Sequence, residues 1–471
     1  MTRGRHIASP SSSRRGVLFV IVLWVCFGLI VMAIYFGDAM RLEYRAAENA
    51  NAERAAAAAV DGAKNYILYA VKNNLTSGEI PDPADFRFEA VAVGEAKYWV
   101  IGRSDLAGGA QASGKFSLNS SFNKNTNTAG TGGNPVFNLV DESSKLNLNT
   151  ATFDMLQTLP GMTAEMAGAI VDWRDSDSDL SDNGAEDEVY MLLKVPYLCK
   201  NARFETVEEL RLVNGATWEI LRGEDANFNG VLDANENDGD ESYPPDNADG
   251  KLDPGILEYV TVYTDASTTD TTAGTLSSSA VSSALESALG SDRAQAIAQS
   301  ASGQLGDVHN LLQLAAVGGM TSSELDSLIE NGVSLSFPPA EESGGPVNIN
   351  TAPAAVLSAV LGGDTAVGEQ IVAARAGRSI DDQAKMGWVL DAVDPSVIAE
   401  YGAALTNKAH QFSADIAAVG PNGRGYRRDL FIIDAGGSTP RVRYHRDRTR
   451  LGWPLGGVVE AARNTEGTER L

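Results

Sequence analysis

Oxygen-bearing side chains recur at alternate positions between Asp225 and Glu236, a spacing that could bind a metal ion. Side-chain oxygens fall at positions 1, 3, 5, 9 and 12 of this stretch, and a glycine stands at position 6. The EF-hand calcium loop has this pattern, because its glycine permits a sharp turn and its last glutamate can bind through both oxygens. The alternative is a solvated acidic turn whose spacing is accidental. The predicted ligands, with Val231 offering its carbonyl, are Asp225, Asn227, Asn229, Val231, Asp233 and Glu236.

A second, less regular acidic turn runs from residue 246 to residue 253. Asp249 and Asp253 are its candidate ligands, although Glu258 comes one residue too late to close a 12-residue loop. Calcium in either turn is expected to be structural, because a cation offsets the repulsion between clustered carboxylates and couples binding to folding.

No catalytic constellation accompanies these loops in the sequence. The four histidines are scattered, and the Gly-x-Ser-x-Gly, His-Glu-x-x-His and Gly-Lys-Ser/Thr motifs do not occur. The sequence therefore predicts a protein that is not an enzyme, although carboxylate chemistry without histidine stays open.

The charge balance limits the partners. The chain of 471 residues carries 62 acidic and 37 basic side chains, for a formal net charge of −25. This excess of acid argues against general nucleic-acid binding, which depends on Lys and Arg neutralising phosphates. The length predicts about three structural units, and two cysteines, Cys26 and Cys199, cannot build a disulfide scaffold.

The N-terminus predicts a membrane anchor. Residues 1–16 contain four arginines and no acid, and an uncharged apolar run follows from Val17 to Phe36. Such a run is long enough to cross a bilayer core, and the arginines keep the leader cytoplasmic while the acidic body is exported. A cleaved secretory signal is a weaker interpretation, because Gly37-Asp38-Ala39 is a poor cleavage site. An ordinary single-span anchor fits the composition.

A third interpretation follows from the next residues. The stretch from 38 to 73 lacks proline and is rich in Ala, Glu and Arg, which favours one helix from residue 17 to residue 73. The apolar residues expected to seat this helix on a globular domain are Leu42, Val60, Ile67, Leu68 and Val71.

The body contains an internal repeat. Residues 145–151 (Lys-Leu-Asn-Leu-Asn-Thr-Ala) recur as residues 346–352 (Pro-Val-Asn-Ile-Asn-Thr-Ala), and each copy is expected to open a helix with its threonine, Thr150 or Thr351, as N-cap. A Pro-Gly turn at residues 160–161 between two apolar-periodic segments predicts a helical hairpin after the first copy. Hairpins of this kind can bind DNA, but an acidic stretch from Asp172 to Glu188 follows, which favours a packing role.

The leader ending in Gly16, the apolar start at Val17 and the long helix together resemble the type IV pilin class. The resemblance implies that a prepilin peptidase cuts between Gly16 and Val17 and methylates the new N-terminus. Most members carry glutamate at the fifth mature position, where this chain has Ile21. That absence, the length and the two Asn-x-Asn-Thr-Ala elements resemble the K minor pseudopilins of type II secretion systems.

The K resemblance extends to the acidic loop after residue 172 and to the segment Val-Glu-Glu-Leu-Arg-Leu-Val-Asn-Gly at 207–215. It implies calcium in the inserted domain, with Asp175, Asp177 and Glu186 as the ligands whose motif matches. It also implies a place at the tip of the pseudopilus, with the I and J pseudopilins, the major pseudopilin and the inner-membrane assembly platform as partners. The body would lie in the periplasm, anchored by one span in the inner membrane.

The predicted fold class is α+β, with a long N-terminal transmembrane α-helix packed on a pilin-like antiparallel β-sheet. A large inserted helical domain with helix-hairpin-helix-like elements interrupts the sheet. The alternative function is a pilus-tip or membrane-anchored helix-hairpin-helix protein that binds DNA or another ligand. The predicted segments are a leader at 1–16, a spine helix at 17–73, a first part of the head at 74–144, an inserted domain with acidic loops at 145–264, a Ser/Thr-rich linker with additional helices at 265–345, a second repeat segment at 346–408 and a C-terminal β part with a tail at 409–471.

Overall fold

The computed structural model describes most of the chain. The residues it describes are 13–75, 78, 80–81, 86–102, 136–264, 277–333, 335, 342–376, 378–379, 382 and 385–455, with side chains from residue 17 onward. Residues 105–135, whose Gly, Ser, Asn and Thr content predicts a loop, lie outside these residues. Most of the predicted leader also lies outside them, as does most of the Ser/Thr-rich linker, which the composition predicts over 266–279.

Helix α1 runs without interruption over Ser13–Asn74, as the absence of proline predicted. Its first half is exposed along its length, including Val17, Ile21 and Leu42. Its second half buries one stripe, in which small residues alternate with larger ones, such as Ala56, Ala63 and Ile67. Leu42 was expected to seat the helix but is 67% exposed, because the globular part begins one turn or more beyond it. Alanines do most of the packing instead, since they let the helix lie close to the sheet.

The sheet beneath α1 is antiparallel, and strands distant in sequence build it. The order β1-β2-β8-β9-β10 forms its path, and β3 pairs with the first part of β8 where β2 leaves off. Its strands are β1 (Val91–Val93), β2 (Ala96–Ile101), β3 (Val140–Asp141), β8 (Gln411–Val419), β9 (Tyr426–Asp434) and β10 (Arg441–Asp447). The chain therefore leaves the sheet after β3 and returns at β8, which confirms the predicted fold class.

Both faces of the central strands are covered. Phe412, Ile416 and Ile433 face α1 in one apolar core, whereas Leu430 and Ile432 belong to the core of the inserted part. Every residue of β8 is buried. Its side chains on one face meet α1, and on the other face Ala417 and Val419 pack in a small cluster with residues such as Trp99 and Leu455.

The turn between β8 and β9 lies directly against α1. A Cβ atom at Gly420 would lie 2.3 Å from the carbonyl oxygen of Ala52, and one at Gly425 would lie 2.6 Å from the backbone nitrogen of Glu53. Glycine at these two positions is therefore required for the close approach of helix and hairpin.

The repeat predicted from the sequence is a repeat of structure. In the first copy β4 (Leu146–Asn147) precedes α2 (Phe153–Gln157) and α3 (Ala164–Arg174), and β4 pairs in parallel with β5 (Val260–Thr261). In the second copy β6 precedes a hairpin of two helices and pairs in parallel with β7. The elements of the second copy are β6 (Val347–Asn348), α10 (Ala354–Val360), α11 (Thr365–Arg375) and β7 (Leu405–Thr406).

The predicted N-caps are wrong by two residues in both copies. Thr152 caps α2 and Pro353 precedes α10, in place of Thr150 and Thr351. The physical reason is a turn closed by the first asparagine of each motif. Asn147 Oδ1 accepts from the backbone N–H of Asn149 at 2.9 Å, and the second copy has the equivalent bond, so the chain turns once more before the helix begins.

An arginine at the end of each hairpin fixes the repeat. Arg174 donates to the carbonyl oxygen of Leu148, and Arg375 Nη1 donates to that of Ile349 at 2.7 Å. Each side chain thus ties the last turn of the second helix to the strand that opened the motif. Arg375 is fully buried, and burial lowers its pKa to about 10.

The helices between the two copies join the second copy. The residue pattern predicts one helix over 280–301, but the structure has two helices there, because Gly290 takes a φ of +81° between them. Asn310 Nδ2 donates to the carbonyl oxygen of Gly402 at 2.7 Å, and Gln313 Nε2 donates to that of Ala399 at 3.1 Å. The remaining helices are α4 (Asp187–Tyr190), α5 (Trp218–Arg222), α6 (Ser278–Leu289), α7 (Ser291–Ala301), α8 (Leu311–Gly318), α9 (Ser322–Glu330), α12 (Trp388–Ala392) and α13 (Pro395–Tyr401).

Two adjacent buried carboxyl groups, those of Asp141 and Glu142, join the sheet to the two repeats. Asp141 ends β3, and its Oδ2 accepts from Asn348 Nδ2 at 2.9 Å and from the Thr351 hydroxyl at 2.7 Å. Burial raises the pKa of Asp141 to about 6. Next to it, the Glu142 carboxylate accepts from the Thr261 hydroxyl and pairs with Lys145.

Candidate functional site

The Asp225 loop follows α5 and folds around its first residue. Asp225 Oδ1 accepts from the backbone N–H of Asn229 at 3.0 Å, and Oδ2 accepts from that of Gly230 at 2.9 Å. Gly230 has a φ of +67°, which permits the turn that the sequence predicted at this position. The first residue of the predicted loop is therefore buried at its centre.

Asparagine side chains cross the loop. Asn227 Nδ2 and Asn229 Nδ2 donate to the same oxygen of Asp233, at 2.7 Å and 3.0 Å. Within the described residues, the buried Oδ1 of Asn227 has no hydrogen-bond partner. The six predicted ligands thus lie in one folded loop, and in the described structure Asn227 Oδ1 is an acceptor without a donor.

Glu236 closes the loop. Its two carboxylate oxygens accept from the backbone N–H groups of Ala226 and Asp233, both at 3.0 Å. Burial is the main reason that the pKa of Glu236 rises to about 8, and the nearby Asp225 and Asp233 raise it further. A cation among these groups would favour the charged form of this carboxyl group.

The loop is docked on the sheet by Arg428, a fully buried side chain in β9. Arg428 Nη1 donates to the carbonyl oxygen of Asn227 at 2.6 Å, and Nη2 donates to that of Phe228 at 2.9 Å. The same guanidinium pairs with Asp415 of β8. Sequence reasoning missed this arginine, because the contact joins residues about 200 positions apart.

The second acidic turn lies at the surface and is held by its own bonds. Asn247 Nδ2 donates to Asp253 at 3.1 Å, and Asp249 accepts from the backbone N–H of Lys251 at 2.8 Å. Glu224 braces the turn by accepting from the backbone N–H groups of Asn247 and Asp253. Glu224 was not among the predicted residues.

The loop after α3 holds the largest group of unpaired acceptors. Asp172 and Glu186 are buried, and within the described residues Asp172 Oδ1, Asp175 Oδ1, Asn201 Oδ1 and both carboxylate oxygens of Glu186 lack a hydrogen-bond partner. Burial, followed by the charges of neighbouring aspartates, raises the pKa of both Asp175 and Glu186. Asp177 is exposed and accepts from the backbone N–H of Asp179.

Asp172 and Asn201 were missed by sequence reasoning as candidate ligands. The available signal was the position of Asp172, three residues after Ala169, on the buried face of α3. A carboxylate among apolar helix positions is costly unless something compensates it.

The chemistry of these loops fits a hard cation. Oxygen acceptors without donors are the ligands that Ca²⁺ prefers. However, across the described ranges no three His, Cys, Asp or Glu side chains converge closely enough to form a metal cage. A cation at either loop would therefore also need amide oxygens, backbone carbonyls or water.

The N-terminal residues that the pilin resemblance singled out lie on the exposed part of α1. Ile21 is 55% exposed and belongs to the one helix of the described chain long and apolar enough to cross a membrane. Gly16 lies within the backbone range of α1, and the description of exposure and contacts begins at the next residue.

The hairpin turn at Pro160-Gly161 carries no basic residue. The charged residues of α2 and the first turn of α3 are Asp154 and Glu165. This turn therefore lacks the basic surface that the DNA-binding alternative predicts.

Comparisons with known proteins find a family model that matches the part of the chain containing the first repeat. Residues 134–223 match the family model described as Type II secretion system (T2SS), protein K. This segment contains β3, the first hairpin, the acidic loop after α3 and the whole of the segment at 207–215. The resemblance to the K family that the sequence predicted is thereby confirmed.

A curated relative carries the same name. The chain is 43% identical over 58 residues to type II secretion system protein K of Pectobacterium carotovorum subsp. carotovorum. The aligned residues are 12% of this chain and span 18% of the relative's length. A chain of the crystal structure of the GspK-GspI-GspJ complex from enterotoxigenic Escherichia coli aligns with a TM-score of 0.40 and 12% identity, covering 87% of this chain and 98% of that one.

Proposed function

We propose that this chain is a minor pseudopilin that caps the tip of a type II secretion pseudopilus. The observation that carries the proposal is the match of residues 134–223 to protein K, over the hairpin and acidic loop inserted in the sheet. The role is structural: the chain assembles a fibre that moves proteins across the outer membrane and catalyses no reaction.

The chain would be held in the inner membrane by the exposed half of α1, with its body in the periplasm. An uncharged helix preceded by arginines supports this orientation. Before assembly, a prepilin peptidase would cut between Gly16 and Val17 and methylate the new N-terminus.

The apolar Ile21 supports a place at the tip. In this proposal a subunit with nothing above it has no neighbouring N-terminal amine to pair with a glutamate at that position. An unpaired carboxylate inside a bilayer is costly, so an apolar residue suits the first subunit.

The partners would be the I and J pseudopilins, packed beside the exposed face of α1, with the major pseudopilin added below. The inner-membrane assembly platform would extract the complex as the fibre grows. The inserted domain lies on the face of the sheet opposite α1, which leaves the helix free for lateral partners.

Calcium would stabilise the inserted domain. The residues that would hold it are the unpaired carboxylates after α3, around Asp172, Asp175 and Glu186, and the oxygen groups of the Asp225 loop. When bound, the ion supplies positive charge that offsets carboxylate repulsion. No nucleic acid is expected, since the hairpin turn is acidic.

A secretion assay tests the proposal. In a strain that lacks the chain, type II substrates should accumulate in the periplasm, and the full chain should restore their release. The I and J pseudopilins should co-purify with the restored chain after detergent extraction. Normal release without the chain would contradict the proposal.

A further inference from the structure

A cavity of about 80 Å³ lies between the sheet and the inserted domain, at the side of the Asp225 loop. Ile101 and Leu430 line it from the sheet, and Phe228 and Leu257 line it from the insertion. Its walls also carry charged groups from both parts.

Two of the carboxylates in the wall are already neutralised. Glu142 pairs with Lys145 at 2.8 Å. Asp415 pairs with both Arg428 and Arg448, each at 2.7 Å. The negative charges of Glu142 and Asp415 are therefore already balanced by cationic side chains.

The other acidic groups are also matched. Glu208 accepts from the Tyr444 hydroxyl at 3.2 Å and pairs with Arg446, and Glu258 lies close to Arg448. The four cationic side chains in the wall equal the four carboxylates in number. Arg428 lies outside the wall but also pairs with Asp415. When Arg428 is counted, five cations face four carboxylates, so one positive charge is not balanced.

Arg222 is the side chain without an anion. Within the described residues it forms no ion pair, and its buried Nε has no hydrogen-bond acceptor. Its guanidinium stacks on Trp218 at 4.2 Å and on Phe228 at 5.6 Å, measured to the ring centroids. Burial lowers the pKa of Arg222, and neighbouring arginines, including Arg446, lower it further. The aromatic rings hold the charge in place without neutralising it.

Tyr263 supplies a second unused donor. Its side chain is 6% exposed, and its hydroxyl has no hydrogen-bond partner within the described residues. The ring is fixed against Tyr444, with centroids 5.4 Å apart. Burial raises the pKa of Tyr263, so the hydroxyl keeps its proton and can donate.

We propose that this cavity binds a small oxyanion, a carboxylate or a phosphate, through Arg222 and the Tyr263 hydroxyl. Both unused groups are donors, so the ligand must supply acceptors, and one surplus positive charge is balanced by one negative charge. The cavity volume equals that of about three water molecules at about 30 Å³ each, which is enough for a compact anion such as acetate or phosphate. A nucleotide is too large.

The test uses the full chain in detergent, in chloride buffer of constant ionic strength. Phosphate, acetate, and a short peptide with either a free or an amidated C-terminus are titrated while the melting temperature is recorded. At least one free anion should raise the melting temperature in a saturable way. A response to phosphate or acetate indicates a free anion as the ligand. A response to the peptide with a free C-terminus, but not to the amidated peptide, indicates the C-terminal carboxylate of a polypeptide.

Arg211 gives a matched control, because it stacks on the same Trp218 ring at 4.7 Å but does not line the cavity. Arg222→Gln should weaken anion binding about tenfold or more, as expected for loss of a charge-assisted hydrogen bond. Tyr263→Phe should weaken it less, and Arg211→Gln should leave it unchanged. The proposal is overturned if no anion gives a saturable response, or if Arg222→Gln and wild type respond alike.

Discussion

At the residue scale, the unpaired carboxylates after α3 are the feature that most needs compensation. Asp172 and Glu186 are buried near other acidic groups, and within the described residues Asp172 Oδ1 and both carboxylate oxygens of Glu186 lack a hydrogen-bond donor. The sequence ranked the regular Asp225 loop higher because spacing is visible in a sequence. The position of Asp172 on the buried face of α3 was a weaker signal, and the structure adds that Gly184 packs closely against its carboxylate.

Removing calcium should destabilise the wild-type chain. A chelator should lower the melting temperature, because a ligand bound only to the native state stabilises it by about 2.7 kcal/mol at a hundredfold excess over Kd. Asp172→Asn should reduce the chelator effect if the site lies after α3, and Asp225→Ala or Glu236→Ala should do so if the Asp225 loop is occupied.

Asp182→Asn is the control for this experiment, since Asp182 is exposed in the same acidic loop. It should keep the full response to the chelator. A wild-type melting temperature that does not change on chelation would count against calcium at both loops.

Arg428 should matter far more than its neighbour Arg427. Arg428 is buried, pairs with Asp415 and holds the Asp225 loop. Arg428→Ala leaves a buried carboxylate less well paired and should cost about 3–5 kcal/mol of unfolding free energy. Arg427 is itself about one-third exposed, and its partner Asp429 also lies near His445, so Arg427→Ala should cost less than Arg428→Ala. Thermal or urea unfolding of the two variants measures the difference, and equal losses would contradict this role.

The stability of the junction should depend on pH through Asp141. Its pKa is raised from 3.8 to about 6 in the folded chain, so the native state binds a proton that the unfolded state releases. The contribution of this group is therefore greatest below about pH 4 and is lost as pH rises towards 6. Asp141→Asn should flatten this part of the stability profile, measured by unfolding at several pH values. An unchanged slope in the variant would rule out Asp141 as its source.

At the element scale, strongly patterned segments were predictable. The uninterrupted α1, the repeated motif and the hairpin after its first copy follow from local composition and periodicity. The first residues of the helices in the two repeats were not predicted correctly, because an asparagine side chain closes a turn before each helix. The break at Gly290 was also missed, since an isolated glycine inside an apolar-periodic segment does not specify whether the helix continues.

The alanine stripe of α1 should tolerate little added volume. Ala59 is fully buried against the sheet, whereas Ala58 is exposed. Ala59→Leu should cost about 1–3 kcal/mol of stability through overpacking, and Ala58→Leu should stay within about 0.5 kcal/mol of wild type. Unfolding measurements on the pair test the packing, and a neutral Ala59→Leu would contradict the close helix–sheet contact.

At the scale of the whole molecule, the discontinuous sheet could be inferred only in outline. The strands at both ends of the chain pair across more than 300 residues, and sequence periodicity does not encode such pairings. The sequence between the repeats predicts helices but does not predict which part of the molecule they pack against. The structure joins them to the second repeat through Asn310 and Gln313, contacts that depend on distant backbone carbonyls.

Mass spectrometry of the N-terminus of the chain tests the pseudopilin proposal most directly. In cells with an active prepilin peptidase, we expect a chain that begins at a methylated Val17. In cells that lack the peptidase, the same chain should keep its sixteen-residue leader. A chain that keeps an intact leader in peptidase-positive cells, or that is cut at another site, would contradict the proposal.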